Sequence, residues 1–244
     1  MPDALFSDPR LVPLYDVLEA DRDDLDAYLA MAGEFGARRV LDIGCGTGVL
    51  ALLLAGRGLD VVGVDPALAS LDAARAKPGA GRVRWVHGDA GAAGPLGADL
   101  AVMTGNAAQA VLDPGDWART LRGAYRALRP GGRLVFETRD PARRAWREWD
   151  RAHTHTVVDV PGTGPVEHWI DLIAVDGPLV TFRGTYVFRA TGETLLSHST
   201  LRFRERADVV ADLTEYGFVL EGVRDAPDRP GREFVFVARR PDTR

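Results

Sequence analysis

The stretch Val40-Leu41-Asp42-Ile43-Gly44-Cys45-Gly46-Thr47-Gly48 constrains this chain more than any other. An apolar run ends in a carboxylate, three glycines alternate with small residues, and an apolar run containing Leu50, Leu52, Leu53 and Leu54 follows. That change of pattern predicts a strand, a tight turn at its carboxyl end, and a helix beginning near Thr47. Glycines in such a turn permit left-handed backbone angles and let a ligand lie close to the main chain. The first turn of the helix adds unpaired N–H groups and the positive end of its dipole. The stretch therefore describes a site for a nucleotide-like ligand at the edge of an α/β sheet.

The glycine spacing distinguishes between such ligands. A dinucleotide turn places glycines at its first, third and sixth positions. Counting from Gly44, the third position is Gly46, but the sixth is Val49, and Gly48 comes one residue early. Asp42 separates the ligands further, because a carboxylate at the strand tip would repel a pyrophosphate and suits a ligand that presents an amine. The segment from Asp42 to Gly48 resembles the cofactor loop of class I S-adenosylmethionine-dependent methyltransferases, whose donor carries an amine in its methionine part. The resemblance covers about residues 36–140 and 205–240 through several motifs in order. It implies an α/β, Rossmann-like fold with a seven-stranded sheet of order 3-2-1-4-5-7-6, S-adenosylmethionine as the cofactor, and methyl transfer as the activity.

On this resemblance Asp42, Gly44, Cys45 and Gly46 hold the donor. The run from Leu59 ends in Asp65 before Pro66, about twenty residues after the loop, where an acid on the second strand accepts hydrogen bonds from ribose hydroxyls. A helix cap is the other role open to Asp65. The third strand, at 83–87, is closed by Gly88-Asp89-Ala90. The family pattern gives Asp89 the adenine amino group and gives a ring nitrogen to the next backbone N–H, that of Ala90. After the fourth strand, at 99–103, Thr104 and Gly105 are expected to line the cofactor. Asn106 and Gln109 are candidates for substrate hydrogen bonds, and Asn106 equally for a helix cap. This loop has neither the Pro-Pro-aromatic turn of enzymes that methylate base amino groups nor the metal-holding carboxylate of catechol-type enzymes.

A helix from Pro114 through Trp117, Leu121, Tyr125 and Leu128 is expected to stop at Arg129-Pro130-Gly131-Gly132, before a fifth strand at 133–137. Glu137 and Arg139 then emerge at the carboxyl edge of the sheet, where open α/β folds bind ligands. They suit either acceptor recognition or a structural ion pair. Two helices are expected between about residues 9 and 35, with Tyr15 on the first. In resembling enzymes that segment folds over the cofactor's methyl group; the alternative is that Tyr15 packs on its own helix face. Tyr15, Glu137 and Arg139 are thus the candidates for contact with the acceptor.

From Pro141 the pattern changes. An arginine- and tryptophan-rich helix bearing Trp146 and Trp149 is expected to lead into three strands, near 166–175, 179–189 and 194–204. Val180, Phe182, Tyr186 and Phe188 share one parity, so one face of this antiparallel sheet should pack against something. The expected division is a core of 1–140 plus 205–244 with an inserted subdomain, 141–204, that covers the site or pairs subunits in a homodimer. His153, His155 and His168, with Glu167, fit no zinc spacing; the histidines are expected as solvated loop residues, so no metal is assigned. A helix at 209–216 and two closing strands complete the fold.

Composition narrows the partners. The chain has 244 residues, 46% hydrophobic and 27% charged, which suits one soluble globular core with a small insertion. Its net charge of -5 and the lack of an aromatic–basic strip count against nucleic acid and anionic membranes. No apolar run reaches membrane-spanning length, and the first residues carry no signal-peptide pattern, so a cytoplasmic location is expected. Cys45 is the only cysteine, so no intrachain disulfide can form. A small polar metabolite, methylated at N or O, is the expected acceptor. The alternatives are an RNA or protein methyltransferase, or a nicotinamide-binding or non-catalytic module on the same fold.

Overall fold

The computed structural model describes residues 2–242. The outermost residues of the expected core, 1, 243 and 244, lie outside them. Three helices come first: α1 (Ala4–Ser7), α2 (Val12–Leu18) and α3 (Asp24–Glu34). The two expected helices are α2 and α3; α1 is a single turn too short to show a period. Strands and helices then alternate as β1 (Arg39–Ile43), α4 (Val49–Gly56), β2 (Asp60–Asp65), α5 (Leu68–Ala76), β3 (Val83–His87), β4 (Ala98–Met103), α6 (Ala107–Ala110), α7 (Pro114–Ala127) and β5 (Leu128–Arg139).

A short α8 (Arg151–Thr154) precedes β6 (Thr156–Val160), β7 (Gly164–Asp176), β8 (Leu179–Phe188) and β9 (Glu193–Arg202). The chain closes with α9 (Arg206–Glu215), β10 (Val219–Asp225) and β11 (Glu233–Arg239).

The main sheet runs β10-β11-β5-β4-β1-β2-β3. With β10 and β11 as its sixth and seventh strands, this is the expected order 3-2-1-4-5-7-6. Strands β1 to β5 pair in parallel, and β11 joins β5 antiparallel. Beyond their first residues β1 and β2 are buried throughout, because helices cover both faces of a parallel sheet. One face carries Leu41, Leu121, Phe136, Val209 and Phe236, with the rings of Phe136 and Phe236 stacked at 5.3 Å. The other packs Leu25, Leu29, Leu50 and Leu54 onto Val40, Val102 and Val235. The order reverses between β1 and β4, and that crevice is where such sheets bind ligands.

The second sheet is antiparallel, of order β6-β7-β8-β9. It has four strands rather than three, since the β-branched run Thr156-Val157-Val158 pairs along Glu167 as an edge strand. The expected one-sided packing is present: Val180, Tyr186 and Phe188 are buried, and Tyr186 and Phe188 meet Leu11 and Leu14 of the N-terminal segment.

The helix expected after Pro141 is absent. Residues 141–143 and 145–148 form two 3-10 turns broken at Arg144, whose φ is +48°. Tertiary packing overrides the helical pattern there. Trp146 meets Phe203 edge-on at 4.6 Å, and Trp149 meets Phe182 at 4.8 Å. The fifth strand also starts earlier than expected, at Leu128, because the Pro130-Gly131 stretch continues it after a register shift against β4. Among the described residues no helix is long and apolar enough to cross a membrane.

Candidate active site

The glycine turn is held from two sides. Gly44 and Cys45 donate their N–H groups to the Val64 carbonyl at 2.8 and 3.1 Å, which pins the turn to the neighbouring strand. Gly46 donates to Asp65 Oδ2 at 2.8 Å, and Ala67 donates to the other oxygen at 2.7 Å. Asp65 therefore ties the glycine loop to the start of α5 through its two oxygens. Gly44 has φ +71°, and a Cβ there would lie 2.9 Å from Ala107. Gly46 has φ +53° and open space where its side chain would be. Helix α4 starts at Val49, two residues later than expected, because Gly48 caps it in the left-handed region. Cys45 packs its sulfur over Gly63, and burial pushes its thiol far up, so it is no nucleophile.

The tips of β1, β2, β3, β4 and β5 open on one cavity of about 1160 Å³. Asp42, Asp65, Asp89 and Glu137 all line it. Asp42 is buried, and its Oδ1 has no hydrogen-bond partner among the described residues. A stranded carboxylate beside a left-handed glycine turn is an incomplete arrangement, and the ammonium of an amino-acid ligand would complete it. Arg22, paired with Asp24 at 2.9 Å, also lines the cavity and acts on Asp42 electrostatically, so a carboxylate beside that ammonium would find a cation. Asp89 caps the turn at Ala90 by accepting from Gly91 at 2.9 Å, and Ala90 and Pro66 are at the same wall. The residues present suit S-adenosylmethionine, the family's cofactor: Asp42 and Arg22 would meet its methionine end, Asp65 its ribose, and Asp89 and Ala90 its adenine.

Burial raises the carboxyl of Asp42 from 3.8 to about 7, with the Asp65 charge adding to it. Burial likewise raises Glu137 from 4.5 to about 8. Both shifts favour the folded state at low pH. The folded chain keeps protons that the unfolded chain has lost, so this stability is full below the unfolded values and is lost as pH rises through the folded ones. The melting temperature of the ligand-free protein should therefore fall between about pH 5 and pH 8, at up to about 1.4 kcal/mol per pH unit for each group. Asp42→Asn should flatten that slope in a calorimetric pH series; an unchanged slope would remove Asp42 as its source.

The acceptor candidates also reach the cavity. Glu137 takes the backbone N–H of Asn106 at 2.7 Å, an N–H freed by the left-handed Asn106 (φ +61°). Thr104, Gly105 and Tyr15 line the same wall, and Tyr15 is held so that its hydroxyl would lie 3.5 Å from a Cβ at Gly105. Tyr15 also tilts against Phe6 at 5.5 Å, so it both packs locally and faces the site. Burial pushes its phenol up to about 12. Gln109 is taken out of the substrate role proposed from sequence. Its oxygen accepts the Arg139 N–H at 3.1 Å, and its amide reaches the Arg202 carbonyl at 3.4 Å, so it brackets the second sheet to the core. Asn106 makes no side-chain cap.

Two groups escaped the sequence. The first is a latch over the cofactor loop: Thr47 donates its hydroxyl to Asp16 at 2.5 Å, and Lys77 reaches Asp16 at 2.5 Å and the Thr47 carbonyl at 2.8 Å. Lys77 is the only lysine in the chain, a signal that could have drawn attention to it. Asp16→Ala should loosen α2 from the loop and weaken S-adenosylhomocysteine binding about tenfold by calorimetry, as loss of charge-assisted bonds predicts. Unchanged affinity would show that the latch does not close on the ligand.

The second is the inner face of the inserted sheet. His168, Ile170, Phe182, Gly184 and Tyr186 line the cavity. His168 is no solvated loop residue: it lies on β7, stacks on Tyr186 at 4.5 Å and hydrogen-bonds the Thr185 carbonyl through Nδ1. His153 and His155 instead pair with Asp150 and Glu167 on the surface.

Residues 40–132 match the family model described as "Methyltransferase domain". An uncharacterized methyltransferase of Mycobacterium tuberculosis (strain ATCC 25618 / H37Rv) is 42% identical over 111 residues, 43% of this chain and 42% of that protein. The chain thus spans less than half the length of the first curated relatives it matches. Among solved structures, the CcbJ methyltransferase from Streptomyces caelestis is 25% identical with a TM-score of 0.71, over 90% of both chains. The sugar N-methyltransferase KedS8 from Streptoalloteichus sp ATCC 53650 shares the fold, with a TM-score of 0.77 at 23% identity, over 94% of this chain and 92% of that one.

Proposed function

With a class I S-adenosylmethionine-dependent methyltransferase domain as its core, we propose that the chain transfers the donor's methyl group to a nitrogen of a small amine. S-adenosylmethionine supplies a sulfonium-bound methyl that is already activated, so the protein has mainly to orient the acceptor and exclude water. The observation that carries the proposal is the cavity's charge: thirteen carboxylates line it against four guanidiniums. Such a cavity attracts a cationic amine to the transfer position in preference to a neutral hydroxyl. In its ionised form Glu137 meets the incoming ammonium and accepts one of its protons, which frees the nitrogen lone pair to attack the methyl carbon as the C–S bond breaks. Its raised pKa makes it a proton acceptor matched to an amine near neutral pH.

Tyr15 and Gly105 lie against each other in the cavity wall. The inserted sheet, with His168, Tyr186 and Phe182, forms the outer wall. We assign it the role of a cover, and KedS8, named as a sugar N-methyltransferase, is consistent with an amine acceptor. A panel of small amines and matched alcohols, assayed for release of S-adenosylhomocysteine, tests the proposal. Turnover with amines and none with the alcohols is expected; turnover confined to the alcohols would overturn it.

A further inference from the structure

Arg139 stands apart from the other arginines around the cavity. Its backbone is locked, because its N–H donates to Gln109 at 3.1 Å and its register partner on β11 is Glu233. Its guanidinium is not satisfied. Glu233 accepts its close hydrogen bond from Arg229, at 2.8 Å, and lies 3.7 Å from Arg139 Nε, beyond hydrogen-bonding distance. Among the described residues the guanidinium of Arg139 donates no hydrogen bond; its side chain is part-buried, 21% exposed, lines the cavity, and is flanked by Trp149 at 5.7 Å. A guanidinium carries five N–H donors in a planar fork, and here they face the cavity without a close protein acceptor. Carboxylate and phosphate groups match that fork with two parallel hydrogen bonds.

We infer that Arg139 anchors an oxyanion of the acceptor, a carboxylate or a phosphate, beside the Glu137 carboxylate that meets its amine. The inference rests on the amine reading of the site and adds a second charge to the acceptor. Residues 137 and 139 share one face of β5, about 7 Å apart along the strand. The acceptor is then an amine that carries an anionic group a short span away, oriented at both ends before transfer.

The test uses arginine side-chain NMR on the full chain saturated with S-adenosylhomocysteine, with the Arg139 signal identified through Arg139→Lys. Inorganic phosphate and acetate serve as separate probes for the two oxyanion classes. A saturable shift of the Arg139 signal by either is expected, with anion affinity about tenfold weaker in Arg139→Gln, as loss of a bidentate pair predicts. S-adenosylhomocysteine affinity should stay within about twofold in that variant, since the donor's carboxylate belongs to Arg22.

No saturable shift with either probe would overturn the proposal. So would equal anion binding in Arg139→Gln, or a matching loss of S-adenosylhomocysteine, which would hand Arg139 to the donor. The wild-type titration needs no variant to fold. Repeated without S-adenosylhomocysteine it reads Arg139 alone, so failure of the wild type to bind that ligand would remove the proposed function and leave the Arg139 result standing.

Discussion

Asp65→Ala should weaken S-adenosylhomocysteine binding about 100-fold or more, because one carboxylate builds the loop and faces the ligand. Its two oxygens take the N–H groups of Gly46 and Ala67 at 2.8 and 2.7 Å. Charge-assisted bonds of this kind contribute roughly 1.5–3 kcal/mol each, and the ribose hydroxyls would lose their acceptor as well. About 2.7 kcal/mol corresponds to 100-fold, a size that the lost ribose bonds and the cost of re-forming an untethered loop on binding reach together. Isothermal titration calorimetry measures the effect. The melting temperature should fall with it, because the Gly46 N–H is left without its partner. An affinity within a few-fold of wild type would remove Asp65 from the donor site.

Glu137→Gln should lower kcat/KM for an amine acceptor by about 100-fold or more, the range typical of a lost proton acceptor. Glutamine keeps the volume and an oxygen for the Asn106 N–H, so the tip of β5 should stay in place. S-adenosylhomocysteine affinity is expected within about twofold of wild type, since Asp42, Arg22, Asp65 and Asp89 are untouched. The pH profile separates this role from a structural one. Glu137 sits at about 8 in the free protein, so kcat/KM should rise with pH through that value and flatten once the carboxyl is ionised. In Glu137→Gln that rise should shrink. Unchanged turnover, or an unchanged acid limb, would take Glu137 out of the chemistry.

What the sequence revealed follows the range of the interactions. The glycine turn, Asp42, Asp65 and Asp89 are local: each sits within a few residues of the strand end it caps, so order and spacing carry their positions. Apolar runs bounded by glycine and proline gave the core strands themselves, while the sheet order came from the family resemblance. The rest depends on distant partners. Asp16 meets Lys77, and Arg139 is left half-satisfied because Arg229 holds Glu233; no spacing rule joins such pairs. Gln109 looked like a substrate contact, yet its amide ties β5 to β9. The helix expected through Trp146 and Trp149 failed because Phe203 and Phe182 offered those rings better packing than a helical face.

The most direct measurement is calorimetric titration of the purified chain with S-adenosylhomocysteine and, separately, with NAD, in wild type and Asp42→Ala. Binding of S-adenosylhomocysteine on the order of micromolar, about tenfold or more weaker in Asp42→Ala, with no heat from NAD, is the expected result. Binding of NAD without S-adenosylhomocysteine would contradict it, because the stranded carboxylate of Asp42 would then be tolerating a pyrophosphate.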